Sequence, residues 1–340
     1  EMDIAASIQK VTEEIIVKLA RNIKNTTSEN NLCLAGGVAL NCVANGILVS
    51  EKIFDNIWVQ PASGDAGGSL GAALSAYHMY FQKPRYVDKS GLDNMKGAYL
   101  GPSYNENEVE KSLKKQNAVY HKLNEDDIIG NTTDALQKDM AIGWMQGRME
   151  FGPRALGSRS IIANPMSNKM QKQLNLKVKY RESFRPFAPS ILFEELNKWF
   201  EINESSPYMM LVAKVNKDIR KVISAEEELL FGIDKLNISR SKIPAVTHVD
   251  YSARIQTVHN QTNPRYHKLL HSFFKKTGCP ILVNTSFNVR GEPIVCNPED
   301  AFQCFMGTEL DVLIIENFIL YKKEQKEELI KSYKDKYELD

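Results

Sequence analysis

Within residues 31–82 a short apolar run twice ends in a glycine turn and passes into a helical segment rich in small residues. "NLCLAGG" (31–37) leads into "VALNCVANGILVSEK" (38–52), and "IWVQPA" (57–62) leads into "GDAGGSLGAALSAYHMYFQ" (64–82). A strand that turns on glycine and feeds a helix commits a chain to the α/β class. The small-residue helix after the second turn can pack close to a sheet. The glycine turn before each helix is also a place where backbone N–H groups can meet an anion. Ahead of the first unit, Ile4, Ile8, Val11, Ile15, Ile16 and Leu19 recur at helical spacing and predict a helix over 4–23. That pattern is already running where the sequence starts, so the chain reads as part of a larger protein.

A length of 340 residues exceeds one ordinary core and predicts two domains. Periodicity lapses in "KPRYVDKSGLDNMKGA", where proline, glycine and charge accumulate. The expected division is 1–84, a linker at 85–98, a larger unit at 99–322 and a charged helix at 323–340. Within the larger unit a helix is predicted at 105–116 and strands at 140–146, 185–193 and 279–287. Residues 216–243 are charge-rich and read as a surface excursion. The net charge of +1 leaves no global field for nucleic acid or a membrane, so any anion site must be local. No apolar run reaches the length of a membrane span. Five cysteines without C-x-x-C spacing argue against a disulfide or zinc scaffold and fit a reducing cytoplasm.

The chemistry-bearing feature is "GRMEFGPRALGSRS" (147–160), which interleaves Arg148, Arg154 and Arg159 with three glycines. Guanidinium forks match phosphate or carboxylate two bonds at a time, and glycine lets backbone N–H groups approach the same anion. Ordinary surface ion pairs would explain one such stretch equally well. It is joined by "KVKYRESFRPFAP", with Lys179, Arg181 and Arg185 beside apolar residues, and by "HVDYSARIQTV", with Arg254. "NTSFNVRGEP" adds Asn284, Ser286 and Asn288 at a strand end. Cations beside buried strands are costly without partners, so the convergence favours a pocket for a phosphate-rich small ligand. In the first unit, Gly36 and Gly37 precede a helix that carries Asn41 and Asn45 four apart. Asp65 stands between strand and helix, where it is either a helix cap or a ligand for a hard cation.

The ordered set "GGVALNCVANG", "SGDAGGSLGAA", "GRMEFGPRALGSRS", "RESFRPFAPS", "THVDYSARIQTV" and "LVNTSFNVRGEPIVCNPEDA" resembles the motif set of the O-carbamoyltransferases. That family includes the tobramycin, cephamycin and nodulation-factor types. The resemblance spans roughly residues 4 to 322. It implies the C-terminal half of an actin-like (ASKHA) domain followed by a YrdC-like twisted α/β domain. In the family the second domain makes carbamoyl-adenylate from carbamoyl phosphate and ATP, and the first transfers the carbamoyl group to a hydroxyl of a small acceptor. By motif position the resemblance assigns Lys179, Arg181, Arg185, Arg254, Asn284 and Ser286 to the carbamoyl phosphate and nucleotide pocket. Arg148, Arg154 and Asn288 would join them. Gly36, Gly37, Asn41 and Asn45 would face nucleotide in the first domain, and Asp65 would bind a divalent metal, Fe2+ or Mg2+.

Family members are nearly twice as long, and the N-terminal half with its H-x-x-x-H metal pair has no counterpart here. Metal binding and carbamoyl transfer are therefore expected only of a full-length protein. His267 and His271 have the same spacing but read as a helix face. A YrdC-like nucleotide- or RNA-binding module without transfer activity is the alternative, against which the neutral net charge counts. The first 82 residues are expected to expose apolar surface and to favour a homo-oligomer.

Overall fold

The computed structural model describes residues 2–87, 93–236, 238–330, 333 and 337. The first strand–turn–helix unit gives β1 (Asn31–Leu34) and the second gives β2 (Asn56–Val59), paired in parallel with Cys33 opposite Trp58. Each strand stops earlier than the apolar run suggests, because the glycine turn takes its last residues. The helix predicted over 38–52 is split. Residues Gly37–Leu40 form a 3-10 turn, and the α-helix Cys42–Ser50 starts only where Asn41 Oδ1 accepts from Ala44 N.

The larger unit is a nine-stranded mixed sheet. In chain order its strands are β3 (His121–Lys122), β4 (Ile142–Met145), β5 (Arg159–Ala163), β6 (Ala188–Leu192) and β7 (Leu211–Lys214). They continue as β8 (Ser252–Val258), β9 (Ile281–Ser286), β10 (Val312–Ile315) and β11 (Phe318–Tyr321). Their spatial order is β3-β11-β10-β4-β5-β9-β6-β8-β7. The expected strands at 140–146, 185–193 and 279–287 are thus β4, β6 and β9. The helices Glu125–Gln137 and Pro264–Thr277 pack against each other and put Ile128, Leu136, Leu269, Leu270 and Phe273 into the main core. The two units meet where the helix Cys42–Ser50 lies on β7. A side chain at Gly46 would come within 2.4 Å of Val212 O, so the approach requires glycine.

Of the segment read as linker, residues 88–92 lie outside the described residues. Its far end packs: Met95 and Ala98 are buried with Leu156, Ala188 and Tyr208. The tail also differs from a single solvated helix. Its described residues form two 3-10 turns, Lys322–Glu324 and Glu327–Leu329, and Tyr333 is buried against Gly307. An aromatic ring that can cover a glycine gains more from burial than a Lys/Glu helix gains from propensity. No helix among the described residues is long and apolar enough to cross a membrane.

The first helix, Met2–Thr27, is longer than its predicted span. Its buried contacts come from Ala20, with Ile16 and Val17 packed beside it. Ile4, Ile8, Val11, Ile15 and Leu19 point outward, each at least half exposed. Spacing identified this stripe, and nothing among the described residues covers it. A contiguous apolar stripe of this length favours association. The isolated chain is therefore expected to form dimers or larger species in light scattering, and the double change Ile8→Glu and Ile15→Glu is expected to return it to monomer. A monomeric wild type at micromolar concentration would contradict this.

Candidate anion site

Strand alternation builds the floor of the site. Cross-strand partners share a face of a sheet, and so do residues two apart on one strand. Gln256 pairs with Ser190, Asn284 with Ile162, and Ser286 with Ser160. Arg254, Gln256, Ser190, Asn284, Ser286 and Ser160 therefore lie on one face, as a polar stripe across β8, β6, β9 and β5. Hydrogen bonds knit the stripe together: Asn284 Nδ2 and Ser190 Oγ donate to Gln256 Oε1 at 2.7 and 2.5 Å.

The arginine–glycine loop crosses this floor. Asn284 Nδ2 donates to Ala155 O at 3.0 Å, and Gln256 Nε2 to Leu156 O at 2.7 Å. The loop folds around Glu150, whose Oε1 accepts from the N–H groups of Leu156, Ser158 and Arg159 at 2.6, 2.8 and 3.3 Å. Burial pushes the Glu150 carboxyl up, and these backbone donors pull it back. At Gly157, where φ is +102°, a side chain would strike the Tyr266 ring. Only glycine closes this turn. Glu150, Ser190 and Gln256 were not singled out in the sequence. Glu150 is the one acid inside the stretch, and Gln256 is one strand period from Arg254, so both carried a readable signal.

The three arginines of the stretch have three different environments. Arg148 is exposed and donates to Leu100 O at 3.0 Å. Arg159 is wholly buried, and its guanidinium donates to the carbonyls of Cys296, Gln146, Gly147, Ser158 and Pro102 at 3.1–3.3 Å. The five carbonyls engage all three of its nitrogens, three of them at Nη1, so its guanidinium is committed to holding the loop to distant segments. Arg154 is half-buried and donates only one long bond, to Leu40 O at 3.4 Å, while its Nε has no partner. Burial lowers it to about 10, and repulsion from Arg254 adds to the shift.

Arg254 pairs through its backbone with Val212 of β7, and its guanidinium has no hydrogen-bond or ion-pair partner among the described residues. Arg181 rests over the Phe187 ring, 5.0 Å from its centroid, and donates from Nε to Asn175 Oδ1 at 2.7 Å. Burial lowers it to about 10, with Arg185 and Arg254 adding repulsion and Glu182 opposing. Arg185 pairs with Glu182 at 2.9 Å, and Glu182 also meets Arg290 at 3.3 Å. Lys179 is buried. Its Nζ donates into the ring formed by Ser286 O and Oγ and Asn288 O and Oδ1, at 2.6–3.1 Å. Together Lys179, Arg181, Arg185, Ser286, Asn288 and Glu292 line a cavity of about 430 Å³. The structure thus brings Lys179, Arg181, Arg185, Ser286 and Asn288 to one cavity, with Arg254 and Arg154 in electrostatic contact beside it. Asn284 lies under the loop as part of the floor.

Burial, then Arg181, lowers Lys179 to about 7. The folded value is below the unfolded one, so the folded protein binds fewer protons between about 7 and the ordinary lysine range. Over that window Lys179 makes stability rise with pH. Anion affinity responds in the opposite sense, because the cavity loses a positive charge as the pH rises through about 7. Affinity for sulfate, which stays a dianion throughout this range, is expected to fall in calorimetry as the pH rises, and Lys179→Met is expected to flatten the fall. A wild-type affinity independent of pH would contradict the assignment.

The first-unit candidates are dispersed. Gly36 and Gly37 form an open turn, with φ +96° at Gly36. Asn41 caps its helix and exchanges side-chain hydrogen bonds with Gln9. Asn45 is fully buried, and its Nδ2 ties Ala39 O to Met210 O across the two units. Asp65 is exposed at the start of the helix Ala66–Ser75 and makes no capping bond. Among the described residues no group of three or more His, Cys, Asp or Glu side chains could hold a metal ion. The donors around Asp65 do not fit a metal centre, because affinity needs several ligands held together. His267 meets Glu194 at 2.8 Å and stacks near His271 with centroids 6.5 Å apart.

Two family models match the chain. The one described as Carbamoyltransferase N-terminus matches residues 1–74, and the one described as Carbamoyltransferase C-terminus matches residues 133–322. "Uncharacterized protein sll1178" of Synechocystis is 56% identical over 100% of this chain and 55% of its own length. Nodulation protein NolO of Bradyrhizobium diazoefficiens is 39% identical over 94% of this chain and 55% of its own. The 3'-hydroxymethylcephem-O-carbamoyltransferase of Amycolatopsis lactamdurans is 31% identical over 88% of this chain and 50% of its own. The chain spans about half the length of the curated relatives it matches.

Proposed function

Starting from the fact that the chain belongs to the carbamoyltransferase family, we propose that its nine-stranded unit binds carbamoyl phosphate and ATP in the Lys179–Arg254 site and makes carbamoyl-adenylate. In this reading the nine-stranded unit is the YrdC-like domain, and residues 1–84 are the C-terminal part of an actin-like domain. Water takes the phosphoryl group from carbamoyl phosphate, and phosphate leaves. The carbamate oxygen so freed bonds to the α-phosphorus of ATP as the bond to pyrophosphate breaks. Arg181, Arg185 and Arg254 stabilise the charge on the transferring oxygens, Arg181 with little reorganisation because Asn175 and the Phe187 ring already hold it. Lys179 holds the turn that carries Ser286 and Asn288 against the anion. In the whole protein the carbamoyl group would pass to a hydroxyl of a small acceptor.

The observation that carries this reading is the uncompensated charge. The Arg254 guanidinium has no partner among the described residues, and Arg154, whose Nε has none there either, feels its repulsion. Like charges are held together in this way at a cost that an anion would offset. Calorimetry with carbamoyl phosphate and with ATP tests it, followed by an assay for pyrophosphate released only when both are present. Absence of binding for both at millimolar concentration would overturn the reading.

A further inference from the structure

Asn175 is wholly buried on a single π-helical turn, Leu174–Val178, just ahead of Lys179, Arg181 and Arg185. Lys179 N closes that wide turn on Leu174 O at 2.8 Å, and the next carbonyl, that of Asn175, accepts from Arg181 N at 3.0 Å. Between these two bonds the chain reverses at Tyr180, where φ is +49°. A tyrosine keeps this conformation only where its surroundings hold it. Tyr180 Oη is tied to Gly307 O at 2.9 Å, and the Asn175 side chain grips the segment beyond the reversal. Asn175 Oδ1 accepts from Arg181 Nε at 2.7 Å, and its Nδ2 donates to Ser183 O at 3.1 Å and to Arg185 O at 2.8 Å. Both donors and the acceptor of one buried amide are thus committed to residues 181–185.

Asn175 itself does not line the cavity that Lys179, Arg181 and Arg185 line. Its grip leaves a particular part of Arg181 open. Asn175 takes the Nε edge and the Phe187 ring takes one face, while Nη1 and Nη2 have no hydrogen-bond partner among the described residues. Those two nitrogens can fork onto the oxygens of a phosphoryl group. Both holders are uncharged. A carboxylate would hold Nε equally well, but it would compensate the positive charge that an anion has to meet. We infer that Asn175 is a positioning residue for the anion site: without touching the anion it acts through Arg181, fixing the guanidinium with its outer nitrogens free and its charge intact. The inference rests on the reading of the Lys179–Arg254 site given above.

Sulfate is the probe, with its affinity read by calorimetry on the wild type, Asn175→Ser, Arg181→Ala and the double variant. Each single change is expected to weaken sulfate binding about tenfold, the effect of losing one charge-assisted contact. The double variant is expected to bind within about twofold of Arg181→Ala, because Asn175 acts through that arginine. A residue that only supports the fold would instead lower affinity in the double variant by the same factor as it does alone. Asn175→Asp keeps the size and the acceptor for Nε but adds a charge. Sulfate should bind it more weakly than wild type at neutral pH, and acidification, which neutralises the new carboxylate, should raise its affinity more than that of wild type. A signature in the wild type itself serves where a variant does not fold. The Nε–H resonance of Arg181 in NMR, identified by its loss in Arg181→Lys, should exchange slowly with solvent in the free protein. Unchanged affinity in Asn175→Ser, independent losses in the double variant, tighter binding by Asn175→Asp or a fast-exchanging Nε–H would each overturn the inference. A wild type that binds sulfate but neither carbamoyl phosphate nor ATP counts against the proposed function alone, and one that binds no sulfate overturns both.

Discussion

Arg254→Ala is expected to bind carbamoyl phosphate or ATP about ten- to a hundredfold more weakly, the loss of one charge-assisted contact worth roughly 1.5–3 kcal/mol. Its unfolding temperature should equal that of wild type or exceed it. The two effects share one cause. The Arg254 guanidinium has no partner among the described residues, and it lowers the ionisation of Arg154 and Arg181 through repulsion. Removing it breaks no hydrogen bond of the free protein and relieves both neighbours. Anion affinity and thermal melting of the same preparation check this. A melting temperature several degrees below wild type would make Arg254 a structural residue, and unchanged affinity would remove it from the site.

Arg159→Ala should do the opposite. We expect a loss of about 3–5 kcal/mol in unfolding free energy, the range for removing one partner of a buried charged network. The side chain is fully buried and donates to five carbonyl oxygens, including those of Pro102 and Cys296, far away in sequence. Alanine removes a donor from all five and opens a cavity; Gln146 O, Ser158 O and Pro102 O keep Ser158 Oγ, Gln146 N and Met149 N, so the loss falls hardest on Gly147 O and Cys296 O. Arg159→Lys should recover only part of the loss, because an ammonium cannot span the same fork of acceptors. Urea unfolding followed by circular dichroism measures both changes. A loss below about 1 kcal/mol for Arg159→Ala would mean that solvent or neighbours replace the guanidinium, contrary to its burial.

The contrast between these two residues shows where reading the sequence stops. Arg154 and Arg159 stand five apart in one motif, and local pattern gives them the same prospects. Arg159 opens β5, so pairing with β4 and β9 carries it inward. Arg154 lies half-buried in the loop folded around Glu150, where it feels the charge of Arg254. Loop curvature, set by Glu150, and the neighbours of β5 decide the outcome, and β8 and β9, which hold the loop through Gln256 and Asn284, come from far along the chain. The same limit applies to Asn41 and Asn45. Their spacing puts them near one helix face, yet one caps the helix and the other is sealed between the units because β7 lies there.

The sequence alone determined the α/β class, through glycine turns between apolar runs and small-residue helices. It also determined the cation motifs and, through strand alternation, that Arg254 and Gln256 share a face. These are short-range properties: φ freedom at glycine, a period of two in a strand, and the charge of a side chain. The tertiary structure alone decided which cations remain unpaired, which stripe of the first helix is left uncovered, and that the tail packs through Tyr333. Burial is a relation between segments, and its free energy depends on what the sheet order brings opposite each residue. A local pattern can specify a face, but only the assembled fold specifies what covers it.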